Sequence, residues 1–130
     1  MKNEKKYLKL VSKLNRLTKE DKLSWKKSSP PAALRNGVDT IWVDFYTTYY
    51  ADIKLGIGEA RYKSYSEYDD QFYWDQTIVL ALLDDEDLQY EFPKIEGSWN
   101  LLETVRYNWA DVESTIDHLI DAPDEDEDEA

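Results

Sequence analysis

Apolar residues recur at helical spacing at the start of the chain. Tyr7, Leu10, Val11, Leu14 and Leu17 fall on one face, and Lys5, Lys6, Lys9, Lys13 and Arg16 take the others. This pattern predicts an amphipathic helix from Asn3 to Thr18. Lys22-Leu23-Ser24-Trp25-Lys26 alternates and predicts a short strand. Ser28-Ser29-Pro30-Pro31 then breaks regular structure, and Asn36-Gly37 signals a turn. From Thr40 to Ile57 the chain is rich in β-branched and aromatic residues. Ile41, Val43 and Phe45 share one strand face, with Trp42, Asp44 and Tyr46 opposite. Ile53, Leu55 and Ile57 form a second alternating set, which predicts a hairpin turning near Tyr49 to Ala51. Gly58 to Gln76 has no clean period and reads as a long connection whose ends extend the neighbouring strands.

Thr77 to Leu83 is apolar on both faces, as a buried strand is. Asp84 to Asp87 reads as its turn, and Leu88, Tyr90 and Phe92 alternate in a returning strand. Ser98 is placed to cap a last helix, in which Leu102, Val105, Trp109, Val112, Ile116 and Leu119 step by three and four. Leu101 and Ile120 widen that stripe. Ala122-Pro123 ends the helix.

Consecutive strands pair antiparallel with their neighbours. The expectation is therefore an α+β fold: an antiparallel sheet of four to five strands packed by an N-terminal and a C-terminal helix. At 130 residues the chain has room for one core. The domain is expected over residues 1–122, with 123–130 a disordered acidic tail that has nothing apolar to bury.

Charge changes the functional picture. Residues 1–27 carry a net +7, residues 28–120 a net −12 and residues 121–130 a net −7, which gives −12 overall. Such a chain is a poor general binder of nucleic acid. Lysines interrupt the apolar residues of the first helix, so it lacks the apolar run of an export signal, and no apolar run is long enough to span a bilayer. A soluble, cytoplasmic protein is expected, with no membrane or direct nucleic-acid contact. There is no cysteine, which removes disulfides, thiolate metal sites and a Cys nucleophile.

The order of elements resembles the small bacterial and phage-borne α+β proteins of uncharacterised function. The residues that carry the likeness are Leu14-x-x-Leu17-Thr18, Leu23-Ser24-Trp25, Asp52-Ile53-Lys54-Leu55 and Leu101-Leu102. The resemblance spans most of residues 8–120. It implies a helix, a Leu-x-Trp strand, an antiparallel meander and a C-terminal helix, and it implies no catalytic residues.

Few constellations suit catalysis. His118 is the only histidine, and its place near a helix C-terminus suits charge complementarity or solvent better than a triad. Asp44 with Asp52-x-Lys54 offers two carboxylates for a divalent ion and a lysine for a phosphate, which is the alternative expectation of a metal-dependent hydrolase or nuclease. The acidic runs lack the spacing of a calcium loop. No cofactor is expected. Between Glu59 and Asp75 rings and carboxylates interleave. Tyr and Trp make large contacts at low entropic cost, and carboxylates select and steer a basic partner. The leading expectation is a non-catalytic regulator or inhibitor that binds a basic protein, such as a nucleic-acid-binding one, through Tyr62, Tyr65, Tyr68, Asp69, Asp70, Tyr73 and Trp74. Carboxylates off the last helical stripe (Glu103, Asp111, Glu113 and Asp117) add a resemblance to the phosphate array of DNA. A third reading is an accessory subunit docked through the first helix.

Overall fold

A computed structural model describes residues 3–34, 39–85 and 87–124. The order is α1 (Glu4–Lys19), β1 (Lys26–Lys27), β2 (Thr40–Tyr50), β3 (Ile53–Ser66), β4 (Gln71–Asp84), β5 (Asp87–Glu91), α2 (Ser98–Trp109) and α3 (Val112–Asp121). The five strands form one antiparallel sheet in sequence order. The expected α+β fold of a helix, an antiparallel sheet and a helical C-terminal region is the one observed, with two C-terminal helices where one was expected. The Asn36-Gly37 turn, Glu86 of the Asp84–Asp87 turn and residues 125–130 of the expected tail lie outside the described residues. Among the described residues no helix is long and apolar enough to cross a membrane.

Both helices of the core lie on one face of the sheet. Val11, Leu14 and Leu17 of α1 and Leu101, Leu102 and Val105 of α2 pack on Tyr46, Leu55, Ile57 and Leu80. The other face carries a smaller cluster of Phe45, Ala60, Val79, Ala81, Leu83 and Leu34. β4 serves both, because its alternate residues are apolar in both directions.

Phe45 explains the glycines of β3. A Cβ at Gly56 would enter its ring, and one at Gly58 would meet both that ring and the Asp44 carbonyl. The ring therefore lies directly against the β3 backbone, and glycine is required beneath it.

Four local expectations are corrected. The strand at Lys22–Lys26 shrinks to Lys26–Lys27, because side chains hold its approach. Trp25 Nε1 donates to Thr18 Oγ1 at 3.0 Å, and Thr48 Oγ1 donates to the Ser24 carbonyl at 2.6 Å. The β2–β3 turn sits at Ala51-Asp52, both at positive φ (52° and 65°), with Tyr50 facing Ile53. Val43 is bulged out of register between Trp42 and Asp44. The bulge moves Trp42 to the Phe45 side, where the ring centroids are 5.4 Å apart. The last helix is two helices, broken where Asp111 adopts φ 52°. Aspartate tolerates this left-handed conformation better than most residues, and the two pieces keep the helical phase that made the stripe look continuous.

The turn at Ala51-Asp52 stores conformational cost that better turn residues would relieve. The double change Ala51→Asn and Asp52→Gly is expected to stabilise the fold by about 1 kcal/mol. Gly58→Ala should destabilise it by about 2 kcal/mol, since backbone rather than a flexible side chain blocks the new methyl. Urea unfolding midpoints check both.

Candidate functional site: a projecting aromatic arm

The connection expected between Gly58 and Gln76 is a hairpin. β3 and β4 stay paired without a register slip from Lys54–Leu83 to Ser66–Gln71, and Glu67 to Asp70 form the turn. β2 pairs with β3 only as far as Thr40–Tyr62. Beyond that pair, Lys63–Ser66 and Gln71–Trp74 run on as a two-stranded arm, roughly 15 Å long at the usual strand rise. Strand periodicity sorts its side chains. Arg61, Lys63 and Tyr65 share a face with Phe72, Trp74 and Gln76. Tyr62, Ser64 and Ser66 share the other with Gln71, Tyr73 and Asp75.

Six of the seven residues expected to bind a partner stand in solvent on this arm. Tyr68 at the tip is 98% exposed, and Trp74 is 54% exposed. Phe72, which the reading of the sequence did not single out, is 68% exposed. Tyr62 is the exception: it is half-buried at the arm's root. Cross-strand pairs order the rings. Tyr65 and Phe72 lie 5.2 Å apart between centroids, and Lys63 Nζ sits 5.6 Å from the Trp74 ring centroid. The tip carboxylates are clasped from both faces. The Tyr65 hydroxyl donates to Asp70 Oδ1, and the Tyr73 hydroxyl donates to Asp69 Oδ2. These bonds favour the protonated phenols, so both tyrosines titrate above their ordinary range. The turn itself closes through Asp70, at φ 53°.

An ion cluster marks the root of the arm. Asp44 and Glu59 face one another across β2 and β3, both nearly buried. Arg106 of α2 reaches over them. Its Nε lies 2.7 Å from Asp44 Oδ2, and its Nη2 lies 2.8 Å from both Asp44 Oδ1 and Glu59 Oε1. Arg61 adds a longer contact to Glu59 at 3.7 Å. Burial alone would raise the Asp44 carboxyl. The hydrogen bonds and charge of Arg106, with the Tyr46 hydroxyl at 3.1 Å, outweigh it and hold that carboxyl below its usual range. The same two carboxylates hold the Arg106 guanidinium well above its ordinary value, against the opposing effect of burial.

This arrangement does not assemble the expected hydrolase residues. Asp44 is committed to Arg106. Asp52 lies in the β2–β3 turn, about 25 Å along the strand by the usual rise. Lys54 Nζ donates to the Asp85 carbonyl at 2.7 Å and sits 5.8 Å from the Tyr49 ring centroid. Among the described residues no three His, Asp or Glu side chains are grouped as metal ligands would be. His118 is exposed in the last turn of α3. Glu103, one of the carboxylates grouped with the helical array, is engaged by Arg106 Nη1 at 3.1 Å.

Reading the sequence missed a second exposed feature. α3 buries none of its residues, and Ile116, Leu119 and Ile120 all face solvent. The Asn108-Trp109-Ala110-Asp111 stretch was its signal, since Asn and Asp favour helix ends. Asn108 now anchors the end of α2, donating to Asp21 Oδ1 at 2.6 Å.

Comparisons of the chain with models of protein families, with curated proteins and with solved structures return no match.

Arg106→Leu would leave two nearly buried carboxylates uncompensated, and is expected to cost about 3 kcal/mol in urea unfolding. Because the Asp44 carboxyl titrates low when folded, its contribution is full above the unfolded value. It is lost as pH falls through the folded value. Asp44→Asn should therefore flatten the acid limb of a stability-against-pH curve.

Proposed function

We propose that this is a non-catalytic interaction protein whose acidic and aromatic arm engages a basic surface on another protein, as a regulator or inhibitor. The observation that carries the reading is the placement of the rings. Tyr65, Tyr68, Phe72, Tyr73 and Trp74 stand in solvent on a ribbon that no described helix covers, and none of them joins either hydrophobic core cluster. Rings of this kind supply most of the affinity where proteins meet. Glu67, Asp69, Asp70 and Asp75 surround them, and with a net charge of −12 on the chain they favour cationic partners and speed encounter. The bonds from Tyr65 and Tyr73 hold two of these carboxylates in place before a partner arrives, which lowers the entropy lost on binding.

Affinity purification from the native cell tests this. Tyr73→Ala and Asp70→Lys are each expected to leave the circular dichroism spectrum unchanged, because both side chains lie outside the core. Each should reduce capture of the partner by about tenfold or more. Equal recovery by the parent and both variants would remove the arm as the contact surface.

A further inference from the structure

The arm has an unpaired edge, and it belongs to β4. β5 pairs with β4 only from Ala81 to Asp84. The Phe92 N–H donates to the Leu80 carbonyl at 2.9 Å, and there the pairing stops. Pro93 has no N–H to continue it. Ile95 is buried among the helices, which draws the chain away across the helix-bearing face. From Gln71 to Ile78 no described strand lies against β4 on this side. The edge is free of bulges as well as open, because its pairing with β3 on the other side is continuous.

Natural sheets guard such edges with lysine, proline, bulges or a covering element. Between Gln71 and Ile78 the sole charged residue is Asp75, and there is no proline. A negative guard discriminates. Two copies of this edge would bring Asp75 and the tip carboxylates of one chain against those of the other, on molecules of net charge −12. A basic strand meets attraction at the same positions. The ring face already shows how a cation is received there, in Lys63 over Trp74. Phe72 lies one pair further out on that face and has no cation over it among the described contacts.

We propose that the edge from Gln71 to Ile78 takes up an extended basic segment of a protein partner as an added strand. Main-chain hydrogen bonds would hold that segment, and its alternate lysine or arginine side chains would lie over Phe72 and Trp74 or beside Asp75. This rests on the arm being the contact surface and specifies how the contact is made.

The test uses the full chain and a synthetic peptide of alternating lysine and valine in two forms. One has free backbone amides. The other is made in both phases with every second amide N-methylated, which keeps charge and side chains but removes one edge's donors. Strand addition predicts that the free peptide slows amide exchange from Gln71 to Ile78. It also predicts that one methylated phase binds about tenfold more weakly, as expected for the loss of a few hydrogen bonds. Equal binding by all peptides overturns strand addition and leaves the arm as a side-chain contact. Binding by none also overturns it, and the Asp70→Lys capture experiment then separately decides whether the arm is a contact surface at all. Protection of β4 that rises with protein concentration without peptide would make the occupant a second copy and overturn the proposal.

Discussion

Thirteen consecutive residue pairs join β3 to β4, from Lys54–Leu83 to Ser66–Gln71, and this ladder outruns the core laid against it. Near the β2–β3 turn the strands carry Leu55, Ile57, Leu80 and Leu82, which α1 and α2 cover. Past Glu59 the apolar residues of one face give way to Arg61 and Lys63, and no described helix follows. The hydrogen-bond ladder needs no core to continue, but without one it presents every side chain to water. An aromatic residue placed there keeps its strand propensity and gives up its burial.

The Asp44–Arg106–Glu59 cluster divides the two regimes. It lies on the helix-bearing face, and it ties α2 to the sheet where the apolar contacts end. An arginine is suited to this position because its planar fork satisfies two carboxylates at once. A break here would leave the Asp44 and Glu59 carboxylates without their cation and remove one of the ties between α2 and the sheet. Rigidity at the root matters for the arm, since a partner gains most from rings and carboxylates already held in place.

The body of the fold was legible because one side of each element is buried. Ile57, Leu80, Leu14 and Leu102 announce their elements by periodicity that burial imposes. The arm escaped the same reading for the converse reason: Tyr73 and Asp75 on one face are exposed, as are Tyr65, Phe72 and Trp74 on the other, so neither face needs to be uniformly apolar. Its composition still pointed to a surface, and six of the seven residues singled out there are exposed along it. The helix break at Asp111 was hidden because Trp109, Val112 and Ile116 keep their phase across it. The Val43 bulge was hidden because alternation counts residues and does not register one left unpaired. What bound Asp44 was also out of reach, since Arg106 lies far along the chain and only folding brings it there.

Cutting the arm away tests the account most directly. Residues 63–74 would be replaced by Asn-Gly, closing the hairpin at Tyr62 and Asp75, and the shortened protein unfolded in urea alongside the parent. A body whose core ends at the ion cluster predicts a cooperative transition at an unchanged midpoint. Loss of cooperative unfolding, or a midpoint lowered by several kcal/mol of stability, would mean that the rings hold the fold together, and would contradict their assignment to a partner.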